Sequence, residues 1–180
     1  MNSSTAAYTA HSQSAQLDKL LRGCLYSLAQ CDYLLNEISE ESYVFSREGV
    51  ASIGAHMRHI LDRFQCFFNG LAECRVDYAA RKRDRSIETN VQAARFAATT
   101  AARRLEEMDV TATAQLLVSE SVHHLSPEVE IGSTVARELM GLITHTTHHL
   151  AIIGIIARDL GYGLESNFGK APSTIVFESR

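Results

Sequence analysis

Tryptophan is missing from the 180 residues, and proline occurs only twice. So few prolines leave room for long helices, because proline removes an amide donor and breaks a helix interior. Cysteine is scarce as well. Cys24, Cys31, Cys66 and Cys74 include no pair at CxxC spacing, which excludes zinc-ribbon and thioredoxin-type motifs. Four cysteines in a chain this long do not make a disulfide scaffold, so a reducing cytoplasm is the expected setting. A basic excess is absent too: 17 Lys and Arg stand against 21 Asp and Glu, a formal charge of −4. That balance argues against a nucleic-acid partner. The longest clean apolar stretch, 150–157, contains Gly154 and falls far short of the roughly 20 residues of a membrane span. The opening MNSSTAAYTAHSQS has neither the basic nor the apolar region of a secretory signal. The run NFGKAPST around Lys170 lacks the first glycine of a P-loop, and GxSxG does not occur.

What is present is a soluble globular composition, 46% apolar and 21% charged. The length fits a single domain, 1–180, able to bury its own core. After a polar lead-in, 1–13, the apolar residues recur at three- and four-residue steps from Leu17 to Ile38, which predicts a first helix over 14–39. A polar connection, 40–49, follows. Ser52 is the expected N-cap of a second helix reaching about residue 74, with Ile53, Met57, Ile60, Phe64 and Phe67 inward. The charged segment 74–89 has no period and reads as an ordered loop or short extended piece. A third, Ala-rich helix is expected over 88–108, with Val91, Ala94, Phe96, Ala98, Ala102 and Leu105 as its apolar set. Alternation over 114–123 and 128–132 predicts a small hairpin. Ser133 or Thr134 then caps a fourth helix to about residue 160, with Gly161 at the C′ position. The tail, 162–180, reads as loop, extended over 174–177. The fold class is therefore all-α, a four-helix bundle with a small β-hairpin before the last helix. Its core spans about 14–161 and its C-terminal extension 162–180.

Of eight histidines, five fall in two clusters. His56 and His59 are three apart on the second helix; His145 and His149 are four apart on the fourth, with His148 flanking them. Residues three or four apart share a helix face, so each cluster can present imidazoles to one ion. One imidazole from the second helix and two from the fourth would make a His₃ site with an open position, the catalytic rather than the structural arrangement. Asp62, one turn beyond His59, and the remaining histidines could supply orienting hydrogen bonds. Cys66 lies about 10.5 Å along the axis from His59 and is core. His123 and His124 are surface residues, and His11 in the lead-in needs no role.

These residues carry a family resemblance. SIGAHMRHILDRF, residues 52–64, resembles the second-helix signature of the DinB-like superfamily, and THTTHHLA, residues 144–151, resembles its paired HxxxH. The resemblance covers the helical core and implies a four-helix bundle, frequent homodimerisation and a bound divalent metal. His59, His145 and His149 match the family's ligand positions. The implied ion is zinc or nickel, with iron or manganese as alternatives. Characterised members include metal-dependent hydrolase-like proteins and thiol-dependent transferases or isomerases. Many relatives follow the last histidine with Arg-Gly-Gln, where this chain has Leu150-Ala151-Ile152, so the substrate does not carry over.

The segment 75–85 holds Arg75, Arg81, Lys82, Arg83 and Arg85 against Asp77 and Asp84. The segment reads first as a solvated loop; the functional alternative is a basic patch at the mouth of a metal pocket, which would attract an anionic substrate or a low-molecular-weight thiol. The expected function is a metal-dependent transferase or hydrolase acting on a small molecule, with Asp62 or His56 as candidate proton acceptor. The alternative is a non-catalytic metal-binding stress-response or dimerisation protein.

Overall fold

The computed structural model describes residues 3–180, with side chains from Gln13 onward; His11 therefore lies outside the described side chains. Seven helices and three strands follow in the order α1 (Ser3–Glu37), α2 (Glu40–Val44), α3 (Ile53–Gly70), β1 (Arg75–Asp77), α4 (Arg85–Thr89), α5 (Val91–Glu106), β2 (Gln115–Glu120), β3 (Val129–Thr134), α6 (Val135–Asp159) and α7 (Pro172–Glu178). The chain is mainly helical, with one small sheet.

Four of the helices are long, and their ends are chemically marked. Ser52 caps α3 by accepting from the Ala55 amide at 3.1 Å. Asn90 does the same for α5 from Ala93 at 2.8 Å, and Thr134 for α6 from Arg137 at 3.2 Å. Each hydroxyl or amide oxygen satisfies a donor that the first helical turn leaves orphaned. Gly161 ends α6 at φ +91°, a left-handed conformation open to a residue without Cβ.

α1 packs on α5 and α6, and α3 packs on the same two helices. The inner faces are Leu28, Cys31, Leu34 and Leu35 of α1, Met57, Ile60, Phe64 and Phe67 of α3, Leu139, Leu142 and Ile153 of α6, and Ala94, Ala98 and Leu105 of α5, all buried. Cys66 is buried as well.

Several expectations need correction. The lead-in is helical from Ser3, continuous with α1. The polar connection contains α2, because Ser39 accepts from the Ser42 amide and places Glu40 and Glu41 in the first turn. α3 stops at Gly70, four residues short of the expected end, where the chain turns back on itself. A Cβ on Gly70 would sit 2.3 Å from the Arg75 carbonyl oxygen, so only glycine admits β1 this close. Phe96 is 76% exposed on the outer side of α5; the inner stripe of that helix runs through its alanines. The extended reading of 174–177 gives way to α7, which starts on Pro172 at its first position, where a missing amide costs nothing.

β2 and β3 form the antiparallel hairpin, with Leu117 opposite Gly132. The hairpin is one part of a three-stranded sheet, because β1 pairs in parallel with β2, Val76 opposite Val118. A parallel neighbour needs a long crossover, supplied here by α4 and α5.

By length and composition α6 is apolar enough to cross a membrane, with a mean hydropathy of 1.4 over its most apolar window. Here it packs on α1 and α3 and bears the histidine cluster.

Candidate metal centre

α3 and α6 pack face to face and bring the two histidine clusters together. One ring nitrogen from each of His59, His145 and His149 lies within 4.8 Å of the other two. The ring centroids are 4.8 Å apart for His59 and His145, 4.7 Å for His59 and His149, and 4.5 Å for His145 and His149. All three are half-buried, whereas His148 is exposed beside His149.

The surroundings keep these rings neutral. Burial, then the Arg63 guanidinium, pushes His145 down to about 3. Burial, then Arg81, brings His59 to about 4, and burial, then the neighbouring His59, brings His149 to about 4. A neutral imidazole keeps one lone pair, the form in which histidine ligates a metal.

The contacts of His145 and His149 are compatible with lone pairs turned toward one point. Nε2 of His145 is buried and has no partner. A buried polar atom left unpaired is costly, and a cation between the three rings would satisfy it. Nδ1 of His149 lies 3.0 Å from Nδ1 of His56. With Nδ1–H of His149 donating and His56 accepting, Nε2 of His149 is left with its lone pair. The donor set thus fits a divalent ion, and three imidazoles suit zinc or another late first-row metal. His56 occupies the position of a ligand's orienting partner.

Asp62 is placed differently. It is buried, pairs with Arg58 at 3.3 Å, and faces a cleft of about 510 Å³ between α3, α4 and α5. None of the three histidines lines that cleft. Burial raises its carboxyl above the usual range, against the pull of Arg58.

On the other side of α3 a groove of about 590 Å³ reaches His145 and His148, walled by β2, β3 and α6. A polar chain forms this wall. Arg63 pairs with Glu120 and lies 3.9 Å from the centre of the Tyr78 ring. The Tyr78 hydroxyl donates to Glu138 at 2.9 Å, and the Ser133 hydroxyl donates to the other Glu138 oxygen at 2.5 Å. Sequence reasoning did not single out Arg63, Tyr78, Glu120 or Glu138. Arg63 had a signal, since it stands one turn after His59 on the same face of α3.

Of the five basic residues in 75–85, one reaches the histidines. Nη1 of Arg81 donates to Nδ1 of His59 at 2.5 Å. Arg75 pairs with Glu130 across the sheet, and Lys82 lines the cleft that Asp62 faces. His123 and His124 are exposed in the loop after β2.

Comparison with curated proteins and with solved structures found no match. A family model described as the DinB family matches residues 12–166, and the chain belongs to that family.

Proposed function

We propose that this protein is a metal-dependent enzyme of the thiol-dependent transferase or hydrolase type, with thiol transfer the favoured reaction. His59, His145 and His149 would hold the ion, zinc or nickel, with iron or manganese as the alternatives. The observation that carries the reading is the buried, unpartnered Nε2 of His145, set between two other neutral imidazoles and beside an open groove. An ion bound there supplies Lewis acidity, lowering the pKa of a water or thiol and polarising an electrophile.

The chain's own residues would do the rest. His56 fixes the His149 ring through the Nδ1–Nδ1 bond, and would have to give that bond up to act as a proton acceptor at Nδ1. The Arg63–Glu120 pair and the Tyr78–Glu138 bond hold the groove wall in one shape. Arg63 and Arg137 line the groove against Glu120 and Glu138; Arg63 is paired with Glu120, and Arg137, which has no ion pair among the described residues, is the cation that could meet a small anionic substrate or an anionic thiol. We read α1, α3, α5 and α6 as the family's four-helix bundle, and the protein as a cytoplasmic homodimer. All four cysteines are free thiols, in keeping with a reducing compartment.

The test is a paired screen of metal-loaded protein. One arm offers electrophiles with and without a panel of cellular thiols; the other offers esters and amides without thiol. Metal-dependent turnover that requires thiol is the expected result. Turnover only without thiol makes the protein a hydrolase. No turnover in either arm leaves the non-catalytic metal-binding alternative.

A further inference from the structure

The cleft between α3, α4 and α5 exists because of what α5 turns toward α3. Ala93, Ala97 and Ala101 recur at four-residue steps on one face of α5 and line it, with Leu61 and Phe68 of α3 opposite. Methyl groups do not fill the seam between the helices, and about 510 Å³ is left, the size of a small-molecule site. Phe96 lines the same cleft while 76% exposed. An aromatic ring in water beside an apolar cleft is surface that a flat molecule lying there would cover.

The charged groups are sorted to the two ends. At one end stands the Asp62 carboxylate, 4% exposed. Arg58 meets its Oδ2 at 3.3 Å but is shared with Glu88 at 2.8 Å, and the Arg83 backbone amide stands beside it. A carboxylate has about four lone-pair sites, so Asp62 keeps acceptor capacity toward the cleft. Arg58, Arg81 and Arg83 already act on its charge, which favours a neutral donor there, a hydroxyl, over a further cation.

At the other end the Arg104 guanidinium lies 4.5 Å from the centre of the Phe68 ring and donates to the Phe68 carbonyl at 3.2 Å. These contacts hold it in place and use one of its five donors. Arg95 and Arg103 of the same helix pair with Asp32 and Glu107, whereas Arg104 has no carboxylate partner among the described residues. The carboxylates that line the cleft, Asp62 and Asp84, belong to the opposite end, where α4 packs on α3. Asp62 and Phe68 are six residues apart on α3, about 9 Å along the axis. That is the scale of one aromatic ring with a polar group at each end.

We propose that this cleft is a second small-molecule site, separate from the metal centre, for an aromatic acid that carries a hydroxyl opposite its acid group. The ring lies along the alanine face and covers Phe96, the hydroxyl donates to Asp62, and the acid pairs with Arg104. The guanidinium fork matches a carboxylate through two parallel hydrogen bonds. An acceptor at one end and a cation at the other set the orientation of the molecule as well as its class. Nothing in this reading depends on an ion at the histidines.

The experiment titrates full-length, nitrogen-15-labelled protein as isolated with 4-hydroxybenzoate, benzoate and phenol, following amide chemical shifts. Shifts are expected in 61–69 and 93–104, and not along 145–149. 4-Hydroxybenzoate is expected to bind about tenfold more tightly than benzoate, which lacks the donor, and about tenfold more tightly than phenol, which lacks the acid. Each step is the size of a charge-assisted hydrogen bond. Arg104→Gln is expected to erase the advantage over phenol and keep the advantage over benzoate; Asp62→Asn is expected to do the reverse. Where Asp62→Asn does not fold, the comparison with benzoate reads the same contact in the unaltered protein. Shifts centred on 145–149 would put the acid at the metal centre and overturn the proposal. Equal affinities for the three molecules, or an Arg104→Gln variant that still prefers 4-hydroxybenzoate to phenol, would overturn it as well.

Discussion

His56 and His149 meet across the α3–α6 seam with their Nδ1 atoms 3.0 Å apart. The bond ties two helices at one of the rings that would hold an ion, and it fixes which nitrogen of His149 faces the other two. His56→Ala should therefore lower metal affinity by about 10–100-fold, as loss of an orienting partner does, while the bound stoichiometry at saturation stays at one. A chelator competition titration measures both quantities. Complete loss of binding would make His56 a ligand and move the ligand set one turn along α3.

His59→Ala, His145→Ala and His149→Ala are each expected to abolish stoichiometric metal binding, while His148→Ala keeps most of it. The three rings converge on one point, whereas His148 is exposed beside them. Metal content after dialysis, read by mass spectrometry, separates the outcomes. Equal losses in all four variants would contradict this ligand set.

Acid should weaken the metal-free protein over a defined window. His59 and His149 titrate near 4 and His145 near 3 in the fold, below the ordinary histidine value of 6.5. A depressed folded-state value means that the unfolded chain binds more protons. The stabilisation from neutral rings is then fully present above pH 6.5 and is lost as the pH falls from there toward 4 and 3. At pH 5, unfolding should take up roughly two to three protons from these groups. Urea midpoints of stripped protein between pH 7.5 and 4.5 test this, with the His59→Ala/His145→Ala/His149→Ala triple variant as reference. The same slope in both proteins would contradict it.

The polar wall of the groove offers a stability test. Tyr78 is buried, and its hydroxyl donates to buried Glu138. Tyr78→Phe removes the donor and leaves the carboxylate short of a partner, at a cost of about 1–3 kcal/mol. Chemical denaturation with an unchanged m-value would show this loss. A change below the error of the fit would mean that Ser133 alone satisfies Glu138.

Gly70→Ala should cost about 1–3 kcal/mol through crowding, since the new methyl would press on the backbone of Arg75 and Val76. Because β1 leads into the loop that carries Arg81, amide exchange in 75–84 should quicken more than in α1. Uniform exchange across the chain would contradict a local effect.

The long helices were legible because their signals are local. Ser52, Thr134 and Gly161 stand at the helix ends that the sequence marks, and His145 and His149 repeat within one turn of helix. The elements that were not legible depend on distant partners. β1 is three residues long and exists because β2 lies beside it. α2 and α4 are each one turn and hold through capping by Ser39 and Asp84 and through packing on α3. Phe96 fits a helical period but points outward, because α5 fills its inner face with alanine. At the site, spacing showed which histidines could share a face, but not that Asp62 turns toward a different cleft or that Arg81, alone of five basic residues, reaches His59.

The division of the three imidazoles between α6 and α3 bears on how an ion would influence folding. His145 and His149 sit one turn apart, so a bare α6 segment already offers a two-point chelate. His59 joins only when α3 docks. An unfolded or partly folded chain would therefore hold the ion weakly, and the stabilisation gained from metal would be smaller than the native affinity alone predicts, by whatever the open chain retains. The stabilisation that remains would measure what the docking of α3, with His59, adds to that chelate, and the ion would serve as a gauge of that single tertiary event.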